Sequence, residues 1–220
     1  MNFIFNGPPG SGKDEACHLL KTEYDYKHLQ FKDELFKETF KFFGVSKGWF
    51  MKGYEDRSIK ETPASQLRVG SRLLSRRDAL IHVSEKVIKP KYGKDYFGVK
   101  TAESIDPSLD YCFSDGGFIE EIHPLINKVG QDKICIVQLY RTGCSFSSDS
   151  RNYIDGILIE ELGNKDSVSS RQNSEPQIPI RMYRIHNNTS VSDFHQLIRK
   201  ILGKEANAHS KGADLHGEPL

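Results

Sequence analysis

The sequence has no long apolar run: nowhere in its 220 residues does a window approach the ~20 apolar side chains of a membrane-spanning helix. It has no surplus of either charge. The 31 Lys and Arg face 30 Asp and Glu, a formal net charge of +1, so no global field draws the chain to nucleic acid or lipid, and only a local basic cluster could. Cysteine is sparse. Cys17, Cys112, Cys135 and Cys144 form no C-x-x-C pair and match no zinc spacing. Cys112 and Cys135 sit inside apolar runs, so buried thiols in a reducing compartment are expected, and with them a cytoplasmic location. The first residues hold no charged segment followed by an apolar stretch, which predicts no secretory leader. No internal repeat is found.

What is there is a globular mixture, 37% hydrophobic and 28% charged, long enough for one domain with a sizeable core. Short apolar runs at 2–6, 28–31, 110–114, 133–140 and 180–185 read as strands. Helical spacing covers 13–24, 32–43 (ended by Gly44), 118–129 and 191–202, and 65–89 reads as two further helices. Residues 47–64 look polar and irregular. The run Lys133–Tyr140 is apolar nearly throughout, as a parallel strand covered on both faces would be. Strands alternating with helices predict an α/β fold, three-layer α/β/α, with a parallel sheet of about five strands.

The strongest motif is Gly7-Pro8-Pro9-Gly10-Ser11-Gly12-Lys13-Asp14. It fits G-x-x-x-x-G-K between a strand and a helix, the pattern of a phosphate-binding loop. Glycines let the backbone wrap phosphate oxygens, amide N–H groups at the helix start point at the anion, and Lys13 brings a mobile positive charge. Asp14 stands where Ser or Thr is usual. A carboxylate there can bind Mg²⁺ directly or through water, which would make the loop tolerate only a metal-loaded nucleotide.

The G-K-D ending resembles that of the phage deoxynucleoside monophosphate kinases of the T-even type, and also occurs in animal phosphomevalonate kinases. Toward the phage family the resemblance extends to Phe31-Lys32-Asp33-Glu34-Leu35, similar to the segment opening the first substrate helix. Asp56-Arg57 and Ser71-Arg72-Leu73-Leu74 resemble its acceptor-binding region. The likeness implies a P-loop kinase domain over 1–203 that uses ATP and Mg²⁺. It implies a helical acceptor-binding region near 32–100, a lid-like segment over 141–177 and acceptor contacts at Lys32. Residues 204–220 have almost no large apolar side chains and read as a disordered tail.

Asp115, after an apolar strand, is a candidate for holding Mg²⁺ or orienting the acceptor; as a turn residue before Gly116-Gly117 it would do neither. The phage kinases commonly show Asp-x-Arg here. Asp115-Gly116-Gly117-Phe118 has no arginine two residues on, and the glycines predict an open surface. Arg57, Arg68, Arg72 and Arg76 are candidate acceptor clamps, the last three on one helix face at i, i+4, i+8; a solvated face is the plain alternative. Arg141 and Arg151 fall where nucleotide kinases carry lid arginines that neutralise the transferring phosphoryl group. Asn187 and Asn188, after the last strand, either border an adenine ring or serve a turn and cap. His82, His123 and His195 read as structural.

Three functions follow: a deoxynucleoside monophosphate kinase, a phage kinase acting on 5-hydroxymethyluracil in DNA, and a slowly hydrolysing ATP-dependent regulatory module. The expected partners are a small nucleotide acceptor or phage DNA with a modified base, and a second copy of the chain, but no membrane. The location implied is the cytoplasm, that of the host if phage-encoded.

Overall fold

The computed structural model describes residues 1–147, 151–154 and 180–213, without the side chains of Arg57 and 208–213. The chain runs β1 (Asn2–Asn6), α1 (Lys13–Glu23), β2 (Lys27–Leu29), α2 (Lys32–Phe43), α3 (Lys47–Glu55), α4 (Arg57–Lys60), β3 (Ala64–Val69), β4 (Arg72–Leu74) and α5 (Arg76–His82). A π-helical turn (Val83–Ile88) leads into α6 (Lys89–Tyr92) and α7 (Tyr96–Ser104). Then come β5 (Tyr111–Gly116), α8 (Ile119–Val129), β6 (Ile134–Tyr140), β7 (Arg181–His186) and α9 (Val191–Ala213).

Five strands form one parallel sheet in the order β2-β5-β1-β6-β7. β1 is the central strand and is buried throughout, because helices cover both faces. Its side chains alternate accordingly. Phe3 and Phe5 pack with Leu19 and Leu20 of α1 and with Phe194, Ile198 and Ile201 of α9. Ile4 points the other way, to Phe113, Ile122, Leu125 and Ile136. This is the three-layer α/β arrangement expected. From β1 the chain moves toward β2 on one side of the sheet, and β6 and β7 are added on the other, so a crevice opens where the order reverses, above the carboxyl ends of β1 and β5.

A third core joins α2, α3, α5 and the β3–β4 hairpin around Phe36, Phe50, Leu67 and Leu74. Two expectations fail in this region. Residues 64–74 form an antiparallel hairpin, not a helix. Leu67 alone of its strand is buried, with its neighbours Gln66 and Arg68 exposed, and Gly70 turns the chain at φ +58, which helices do not allow. Residues 47–60 are helical, because Ser46 caps α3 by accepting from the Trp49 amide and Asp56 caps α4 by accepting from Ser58. The expected disordered tail is also corrected in part: α9 continues to Ala213, and Glu205 is buried, pairing with Arg181 and accepting from the Tyr183 hydroxyl at 2.7 Å. Residues 214–220, and of the lid-like segment 148–150 and 155–177, lie outside the described residues.

Candidate active site

The loop between β1 and α1 is shaped for an anion. Gly10 and Gly12 have φ +80 and +107, conformations costly for any side chain. A Cβ on Gly7 would lie 2.6 Å from the Leu139 carbonyl oxygen, and one on Gly12 would lie 2.5 Å from Asn187 Nδ2. Lys13 is buried and its ammonium donates to the Gly7 and Pro8 carbonyls at 2.6 and 2.7 Å. Ser11 Oγ is buried without a hydrogen-bond partner. A buried hydroxyl with nothing to bond is costly, and a phosphate oxygen would satisfy it. The cradle, the helix start and the ammonium therefore fit a nucleotide phosphate chain. Pro9 and Gly10 are the exposed crest of the loop.

Asn187 supports this loop from beneath. Its Nδ2 donates to the Ser11 carbonyl at 2.9 Å and its backbone amide to Tyr140 at 2.7 Å. It is buried, so the expected adenine contact at Asn187 becomes a strut under the phosphate loop. Asn188 accepts from the Thr142 amide at 2.8 Å and lines a cavity of about 330 Å³ together with Pro8, Arg141, Cys144 and three stacked rings. Tyr153 and Tyr140 lie 4.2 Å apart at 20°, and Tyr140 and His186 lie 5.3 Å apart at 27°. Such a wall suits a flat heterocycle. Arg141 donates to the Gly10 carbonyl at 3.3 Å, which ties the cavity mouth to the loop crest.

Asp115 ends β5 on the other side of the loop. Both its oxygens are engaged: Oδ1 accepts from the Phe31 amide and Oδ2 from the Lys32 amide, each at 3.0 Å. It thus caps α2 from a different strand, since Phe31 has no oxygen with which to cap its own helix. The part Lys32 plays here is its backbone amide. Next to Asp115, Ser114 Oγ meets His28 Nε2 at 2.9 Å and Gln30 Nε2 at 2.8 Å. Burial holds the His28 imidazole below its ordinary value against the pull of Asp14 and Asp115. Burial, then the Asp115 charge, push the Asp33 carboxyl up. Asp14 itself is exposed at the loop's end. Among the described residues no group of three or more His, Cys, Asp or Glu is placed to hold a metal. Mg²⁺ would fit here as an ion carried on nucleotide phosphates, with Asp14 or the remaining lone pairs of Asp115 beside it.

The glycines after Asp115 do not leave an open surface. A Cβ on Gly116 would meet Ile4 Cγ2 at 2.3 Å, and one on Gly117 would meet Arg151 Cδ at 2.5 Å. Phe118 is half-buried, with the Lys89 ammonium 4.8 Å from its ring. On the next turn Glu121 is buried, and burial first, then the Asp115 charge, push its carboxyl up to about 8, while Lys89 and Arg151 pull it down.

The arginine cluster does not assemble as expected. Arg68 and Arg72 are exposed on the two strands of the hairpin, and Arg76 is the first residue of α5, so the three share no helix face. Arg76 is buried. Its Nε donates to the Phe50 carbonyl at 3.1 Å, its guanidinium lies 4.4 Å from the Trp49 ring, and Gly53 leaves room for it. It is a packing element of the third core, not a surface clamp. Arg57 opens α4. Asn6 went unnoticed in the sequence; buried immediately before Gly7, it bonds to Gly116, Asn152 and Ile154. A polar residue directly after the apolar centre of the strand and before Gly7 was the available signal.

Fold and loop define a three-layer α/β protein with a glycine-rich cradle, shaped for an anion, at the end of its central strand. No family model and no curated protein matches the chain. Among solved structures, similarity extends to a candidate kinase from Chloroflexus aurantiacus J-10-fl (12% identity, TM-score 0.42, 93% of this chain and 96% of that one). It extends also to a dephospho-CoA kinase from Campylobacter jejuni (10%, TM-score 0.41, 93% and 96%) and to a sugar kinase from Janibacter sp. HTCC2649 (9%, TM-score 0.37, 92% and 92%). At these values no residue of this chain takes a role from them.

Proposed function

We propose that this protein is an ATP-dependent phosphotransferase that moves the γ-phosphate onto a deoxynucleotide, with a deoxynucleoside monophosphate as acceptor. The observation that carries the reading is the Gly7–Lys13 cradle with its unpartnered Ser11 hydroxyl. The ring-walled cavity lies on the β6–β7 side of the loop, as an adenine site would, and Asp115 lies on the β5 side, where an acceptor would approach. Transfer then needs positioning and charge neutralisation rather than a covalent intermediate. Mg²⁺ would add charge compensation on the β- and γ-phosphates. Lys13 turns from its two carbonyls to the phosphates, and Arg141 closes the cavity mouth.

One observation favours the second reading, a hydroxymethyl group on a base in DNA. Asp33 and Asp115 lie close together on the acceptor side. A hydroxyl must lose a proton on attack and a carboxylate can take it, whereas a monophosphate is already ionised. Labelled ATP and Mg²⁺ are incubated with each deoxynucleoside monophosphate and with DNA containing hydroxymethyluracil. Label on a monophosphate supports the first reading, label on DNA the second, and label on neither acceptor removes both. Lys13→Ala is expected to lower transfer at least roughly a hundredfold with the melting temperature nearly kept.

A further inference from the structure

Asn6 makes three long-range hydrogen bonds. Its Nδ2 donates to the Gly116 carbonyl and to the Asn152 carbonyl, each at 3.0 Å, and its Oδ1 accepts from the Ile154 amide at 2.8 Å. Gln138 holds the same short segment by donating to the Ile154 carbonyl at 2.7 Å. Tyr153 stacks on Tyr140 and donates to the Leu139 carbonyl at 3.0 Å, and Ile154 is buried in the core beneath α7 and α8. Residues 152–154 are therefore stitched across the ends of β5, β1 and β6.

That stitched backbone delivers Arg151. A Cβ on Gly117 would lie 2.8, 2.7 and 2.5 Å from Arg151 Cβ, Cγ and Cδ, so the whole stem occupies the groove that glycine leaves. The guanidinium acts on buried Glu121, and the residue keeps part of its surface exposed. A lid arginine would sit on a backbone free to swing. This one is anchored by side chains from the central strand and its neighbour.

We propose that Arg151 is a permanently seated cation that binds a phosphate of the acceptor, and that Asn6 and Gly117 are positioning residues that hold it there. The side of the sheet decides donor from acceptor. The ring-walled cavity lies over β6 and β7, whereas Arg151 lies over Gly117, just past β5, across the phosphate loop. A planar guanidinium matches two oxygens of a phosphate monoester or diester. The role rests on the phosphotransferase reading; the seating does not.

The test uses full-length Gly117→Ala, Arg151→Ala, Arg151→Lys and the Gly117→Ala/Arg151→Ala double variant. Gly117→Ala and Arg151→Ala are each expected to raise the acceptor KM roughly tenfold to a hundredfold, the worth of a charge-assisted hydrogen bond, with the KM for ATP unchanged. Arg151→Lys should recover part of the loss. The double variant should be no worse than Arg151→Ala, since the added methyl has nothing left to displace. Assays with free monophosphate and with DNA identify which phosphate is bound. An unchanged acceptor KM, or a change confined to ATP, overturns the assignment and leaves Arg151 a counter-ion of Glu121. If the wild type transfers nothing, the phosphotransferase reading falls, and melting temperatures of the same four proteins still judge the seat: strict additivity of the two single changes overturns it.

Discussion

At the scale of single residues, two buried ionisable groups separate structure from chemistry. Glu121 binds its proton more tightly in the folded chain, at about 8, than the ordinary 4.5 of an unfolded glutamate. Folding therefore takes up a proton between these values, and stability falls as pH rises from about 4.5 to about 8. Glu121→Gln should remove that decline. Melting curves of the two proteins are expected to diverge across this window, the variant gaining relative to the wild type toward pH 8. Arg76 makes the opposite point. It was a candidate acceptor clamp in the sequence, but its partners are Phe50 and Trp49. Arg76→Ala should cost roughly 1–3 kcal/mol of stability by urea unfolding, through the orphaned carbonyl and lost packing, with the acceptor KM unchanged. The phosphate loop was legible because all its parts are consecutive. Neither the place of Arg76 nor that of Arg151 could be read, because each is set by residues distant in the chain: Phe50 for one, Asn6 and Gly117 for the other.

At the scale of elements, the parallel strands were readable because burial on both faces forces unbroken apolar runs. The β3–β4 hairpin was not. Arginines at 68, 72 and 76 imitate a helical repeat, and only the isolated burial of Leu67 and the bend at Gly70 reveal strands. Helix α2 was placed correctly, but the source of its cap was hidden. Its first amides are satisfied by Asp115, more than eighty residues later. Asp115→Ala should leave the Phe31 and Lys32 amides unpaired and lower stability by about 1–3 kcal/mol, measured by urea unfolding. Asp115→Asn keeps one acceptor oxygen and should cost less. A larger loss of transfer than of stability in the asparagine variant would mark a direct part in chemistry.

At the scale of the whole molecule, the last helix completes one layer of the sandwich instead of trailing from it. Glu205 ties α9 to β7 through Arg181 and Tyr183. The compositional signal of residues 204–220 hid this, because a buried carboxylate, Glu205, and the Lys204 ammonium over the Tyr183 ring make contacts that a search for apolar side chains does not find. Glu205→Ala should lower stability by roughly 2 kcal/mol, less than a fully buried pair because Arg181 keeps some water, and a chain ending at 203 should melt no higher than that variant. The capping of α2 by Asp115 also governs motion. Helix α2 is riveted to the sheet at its root, so a swing of this helix over the loop would pivot there. A helix of 12 residues is about 18 Å long, and a turn of about 10° about its root carries Gly44 some ~3 Å while leaving Lys32 nearly still. In such a turn the far end of the helix would travel while its base stays level with the strand that supports it.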